Sequence, residues 1–75
     1  MDWRAHISVD PNVMHGVACI TGTRIPVSLV LDNLAAAVPV ERLLTEYPSL
    51  TTDAIASALA YAAELAREES LALPA

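Results

Sequence analysis

Lysine and phenylalanine are absent from these 75 residues, which contain one cysteine, one tryptophan, two tyrosines and two glycines. A lone cysteine excludes an internal disulfide. Cys19 stands in the apolar run Val17-Ala18-Cys19-Ile20 with no basic neighbour to favour a thiolate, so it reads as a small buried hydrophobe in a reducing compartment. Gly16 and Gly22 are isolated, which excludes a glycine-rich phosphate loop. No apolar run approaches the roughly 18 to 20 residues that a membrane span requires, and no signal peptide is recognisable, so a cytoplasmic, non-membrane protein is expected. Positive charge is scarce: four arginines face nine acids, and the net charge of −5 opposes non-specific attraction to nucleic acid.

Catalytic chemistry is equally thin. Neither His6 nor His15 has a histidine, cysteine or carboxylate at a metal-ligand spacing, so neither a metal nor a cofactor is expected. No nucleophile has a recognisable base, and Asp10, Asp32, Glu41 and Glu46 read as solvated or capping acids. The expectation is a protein that is not an enzyme.

What the chain has in excess is aliphatic surface. It is 55% apolar, mostly alanine, valine and leucine, and a domain this small buries only part of its surface. Its own core supplies only about 3 to 5 kcal/mol, so help from a second polypeptide is expected.

The stretch Thr21-Gly22-Thr23-Arg24-Ile25-Pro26-Val27 divides the chain into an extended first part and a helical second part. Gly22 offers the positive φ of a tight reversal, and Pro26 suits the start of a helix, where its missing N–H has no partner to lose. Arg24 reads either as a clasp on nearby carbonyls or as a partner contact. Before this junction, Met1 to His6 is a short lead to which no function is assigned. Ile7-Ser8-Val9 alternates like a half-buried strand, and Asp10-Pro11-Asn12 supplies turn chemistry. The run 17–20 forms a second strand, paired with the first as a hairpin or with strands of a second subunit.

After the junction, Val27, Val30, Leu31 and Leu34 repeat at helical spacing, predicting helix one over roughly 27 to 36. Val38-Pro39 interrupts, and helix two is expected over about 39 to 46, with Val40, Leu43 and Leu44 inward. Thr51-Thr52-Asp53 opens a long helix three, about 52 to 68. One apolar seam on it runs through Ile55, Leu59, Ala62 and Ala66; a second runs through Ala54, Ala58, Tyr61 and Leu65. A helix apolar over most of its girth is expected to face its own core on one side and another chain on the other. Residues 1–70 thus read as one domain and 71–75 as an apolar tail.

Two short helices joined by Tyr47-Pro48-Ser49-Leu50 are similar to a helix-turn-helix, which would offer Thr51, Thr52 and Ser57 towards bases or phosphates and rely on Arg24 and Arg42 for neutralisation.

With Asp10-Pro11, Gly16, Ile20, Gly22-Thr23-Arg24-Ile25-Pro26-Val27, Leu43-Leu44, Tyr47-Pro48 and Ile55 in view, the chain resembles the bacterial and archaeal domain-of-unknown-function 433 family from about Ile7 to Ala63. The resemblance implies an α+β fold, mostly helical, with a short N-terminal β-hairpin followed by a three-helix, helix-turn-helix-like bundle. It also implies an antitoxin, dimeric and paired with a PIN-like ribonuclease. One departure stands out: Ala37 occupies a helix end where glycine is expected, so the turn into helix two is expected to differ.

The leading expectation is therefore an antitoxin that neutralises a PIN-like ribonuclease toxin and, with it, autoregulates its operon. Arg67 or Arg24 would reach the acidic active site of the nuclease, and Leu71 and Leu73 would fill an apolar groove. A homodimer is expected through Ile7, Val9, Ala58, Tyr61 and Leu65. Operator DNA would be contacted by Arg24, Arg42, Thr51, Thr52 and Ser57, chiefly within the complex. The alternative is a stand-alone dimeric DNA-binding regulator.

Overall fold

Strands of two residues each begin the fold. The computed structural model describes residues 2–68 and pairs β1 (Ile7–Ser8) antiparallel with β2 (Cys19–Ile20), with Ile7 opposite Ile20 and Ser8 opposite Cys19. The hairpin is thus closed within the chain. The junction then folds back on β2: Cys19 bridges antiparallel to Pro26, the Ile20 N–H donates to the Ile25 carbonyl, and the Val27 N–H donates to the Ala18 carbonyl, both at 2.9 Å. This last bond gives a partner to an amide at the start of the first helix that would otherwise lack one.

Thr23 pins the reversal. Its N–H and hydroxyl both donate to the Ile20 carbonyl, at 3.0 and 2.7 Å, while its oxygen accepts the Ile25 N–H at 3.0 Å. Gly22 has φ +78°, the left-handed conformation expected of it.

The helices are α1 (Val27–Ala35), α2 (Val40–Glu46) and α3 (Thr52–Glu68). Pro26 and Pro39 both keep extended backbones, with ψ 144° and 145°, and each stands one residue ahead of its helix, so α2 begins at Val40. At the start of α3 the Thr51 hydroxyl accepts the Ala54 N–H at 3.0 Å, a side-chain cap of the expected kind. The missing glycine does not redirect the chain after α1. Ala37 itself takes φ +62°, and the Ala37 and Val38 amides donate to the carbonyls of Leu34 and Asn33, both at 3.0 Å. This is a left-handed helix closure formed despite the Cβ.

Ile7, Ile20, Val27, Val30, Leu43, Leu50, Ala54, Ile55 and Ala58 make up the core, with Cys19 also buried. Of the two seams read on α3, the core takes Ala54 and Ala58 from one and Ile55 from the other, while Leu59 stays half exposed. The lead segment packs against this same core. A 3-10 turn at Trp3–Ala5 sets Trp3 edge-on to Tyr61, with ring centres 5.0 Å apart, and the Arg4 guanidinium lies 4.5 Å from the Trp3 ring centre. No helix among the described residues is long and apolar enough to cross a membrane.

Candidate functional site

The turn Thr21–Arg24 projects its one charge outward. Arg24 is exposed and forms no ion pair among the described residues, whereas each other arginine has a carboxylate. Arg4 meets Asp2 at 3.9 Å, Arg42 meets Glu46 at 2.9 Å, and Arg67 meets Glu64 at 2.7 Å. A guanidinium offers five donors in a fixed plane, so Arg24 is free to receive a carboxylate or phosphate from outside. Thr23 and the short antiparallel segment behind it fix the turn that carries the side chain.

The residues read for DNA contact are divided. Thr51 and Thr52 lie exposed at the start of α3, with the Thr51 hydroxyl already committed to its cap. Arg42 is exposed on α2 but bound to Glu46. Ser57 is a correction: it is fully buried, on the core-facing side of α3, and offers nothing to a groove.

Among the residues expected to dimerise, Ile7 and Ala58 are likewise corrected. Both are buried in the chain's own core, so neither can meet a second chain without opening that core. Tyr61 is half-buried against Trp3. Val9 and Leu65 remain exposed. For the nuclease contact, Arg67 is exposed and paired with Glu64, while Leu71 and Leu73 lie outside the described residues.

Three exposed apolar residues are not among the expected site residues: Met14; Val17, expected in the second strand but lying in the loop before β2; and Leu59, expected in an apolar seam of α3. Met14, His15 and Gly16 in that loop have successive φ values of 51°, 57° and 84°. This left-handed run is closed by the Gly16 N–H donating to the Val13 carbonyl at 3.1 Å and the Val17 N–H donating to the Met14 carbonyl at 3.2 Å. With Val9, the loop thus displays three large apolar side chains to water. The signal was present, since valine and methionine are unusual in a segment otherwise built from Asp10-Pro11-Asn12 and glycine. Among the described residues no cluster of three or more histidine, cysteine or acidic side chains is placed to hold a metal ion.

A family model described as "Protein of unknown function (DUF433)" matches residues 7–62. The chain is 37% identical over 59 residues to the uncharacterized protein y4eO of Sinorhizobium fredii, covering 79% of this chain and 27% of that protein. It also superposes on the crystal structure of a DUF433 member from Anabaena variabilis with a TM-score of 0.76 and 32% identity, covering 84% of this chain and 62% of that one. The chain therefore spans about a quarter of the length of the first relative and under two thirds of the second.

Proposed function

Since the chain belongs to the DUF433 family, a family described by no activity, its role has to be read from its own surface, and we propose that it is a non-enzymatic antitoxin acting in the cytoplasm. It binds and neutralises a PIN-like ribonuclease. The observation that supports this reading most is Arg24, a guanidinium without an ion pair among the described residues, held on a rigid turn of a chain whose net charge is −5. Clustered acids that bind metal attract such a group, and a planar fork can bond a carboxylate at two points. Arg67 is the weaker candidate because Glu64 already holds it. The exposed Val9, Met14 and Val17 supply apolar contact area to the same kind of partner.

DNA contact has less in its favour. With Ser57 in the core and Arg42 tied to Glu46, the isolated chain offers Arg24 and two threonines against a strongly acidic background. Any operator binding is therefore assigned to the toxin–antitoxin assembly, where linked weak contacts add.

Co-expression of the tagged chain with a PIN-like ribonuclease encoded beside it tests the proposal. Co-purification of the two in a fixed ratio is expected. Recovery of the chain alone, with the nuclease fully active, would overturn it.

A further inference from the structure

The side of α3 that carries Tyr61 is covered in the folded chain by the chain's own lead. Trp3 packs on the core and meets half-buried Tyr61 edge-on, with ring centres 5.0 Å apart, and Ala58, one turn earlier on α3, is fully buried. The 3-10 turn at Trp3–Ala5, β1 and α3 all touch one another, so the turn lies where α3 meets β1.

The lead is held differently from the rest of the fold. Its hydrogen bonds are its own: the Arg4 N–H donates to Asp2 Oδ1 at 3.0 Å, the Ala5 N–H to the Asp2 carbonyl at 3.4 Å, and the His6 N–H to the Trp3 carbonyl at 3.0 Å. Its ion pair, Arg4 with Asp2 at 3.9 Å, is internal as well. The bond that ties it to the body comes only at His6, whose carbonyl accepts the Thr21 N–H at 2.9 Å. Asp2, Arg4 and Ala5 are exposed, which leaves Trp3 as the side chain by which residues 2–5 grip the body. Lifting these residues about His6 therefore breaks no hydrogen bond to the body among the described residues. It costs the apolar contact of a single indole.

We propose that residues 2–5 are a displaceable strap, and that the groove they cover on α3 docks a segment of another polypeptide presenting an aromatic side chain followed by a basic one. The seated lead defines the chemistry of that occupant. The groove takes an indole edge-on to Tyr61 and leaves the next residue, Arg4, at the exposed rim with its guanidinium 4.5 Å from the ring centre. A partner segment of the same pattern reproduces both contacts, and its positive charge is drawn to a chain of net charge −5. Until then the strap keeps this apolar groove from water. Because the tethered indole is present at high effective concentration, a weak competitor does not displace it.

Trp3 is the chain's one tryptophan, so the Trp3→Ala chain is free of indole and a probe peptide brings its own reporter. The probe is the sequence of residues 2–6 as a free peptide with blocked ends. It is titrated into the full parent and Trp3→Ala chains, with NMR shifts at Ala58 and Tyr61 and, for Trp3→Ala, indole emission as readouts. Saturable binding to Trp3→Ala that shifts both residues and moves the emission to the blue is expected. It should be at least tenfold weaker for the parent chain, and for Trp3→Ala combined with Tyr61→Leu. No binding to Trp3→Ala, or equal binding by the parent, would overturn the proposal. So would equal binding of a peptide with glutamate in place of its arginine, or a Trp3→Ala chain that associates with itself in place of taking the peptide. Should Trp3→Ala not fold, urea unfolding of the parent decides: Trp3 emission moving to the red before helical circular dichroism is lost marks a strap, and coincident transitions would overturn it.

Discussion

The Val38 amide donates to the Asn33 carbonyl at 3.0 Å across Ala37, which holds φ +62° to make that bond. An alanine in this conformation sets its Cβ against the neighbouring carbonyl, a strain that glycine lacks. Ala37→Gly should therefore raise stability by about 1 kcal/mol and the melting temperature by about 4 to 8 °C, measured by circular dichroism. An unchanged or lowered melting point would mean the closure is not strained.

Thr23 offers a second test at the junction, because one hydroxyl serves both the Ile20 carbonyl and the Ile25 amide. Thr23→Val keeps the shape and removes both bonds, and should lower stability in urea unfolding by about 1 to 3 kcal/mol. Thr23→Ser retains the oxygen and should recover most of that loss.

Trp3 and Tyr61 join the lead segment to α3 through an edge-to-face contact. A double-mutant cycle with Trp3→Leu and Tyr61→Leu, read by thermal unfolding, should give a coupling of about 0.5 to 1.5 kcal/mol. Strict additivity of the two single changes would mean that the two rings do not stabilise each other.

The helices were legible because their signals are local. Pro26, Pro39 and the Thr51 cap fix starts, and α3 runs over the expected 52–68. Which side of α3 faces inward was not legible, because alanine contributes too little apolar area to select a face: Ala54 and Ala58 are buried while Ala63 and Ala66 are exposed. The burial of Ser57 follows from that same ambiguity. The helix end at Ala37 was legible as a place where glycine is expected, but the sequence did not show that alanine would itself take the left-handed conformation there, closed by the local bonds to Leu34 and Asn33. Of the candidate site, Arg24 was visible as the single charge of its turn. Its freedom was not, because that depends on where the acids of the folded chain lie.

Arg24 makes no ion pair that its loss would break, so Arg24→Ala should leave folding stability within about 0.5 kcal/mol of the parent chain. Equal melting curves would show that the turn folds without the side chain. A loss of several degrees would assign it to the turn itself.

The most direct measurement is calorimetric titration of the chain into its PIN-like ribonuclease, with RNA cleavage followed in parallel. Saturable binding that abolishes cleavage, weakened about 10- to 100-fold by Arg24→Ala, is the predicted result. Absence of binding heat with cleavage undiminished, or inhibition that Arg24→Ala leaves intact, would contradict the account.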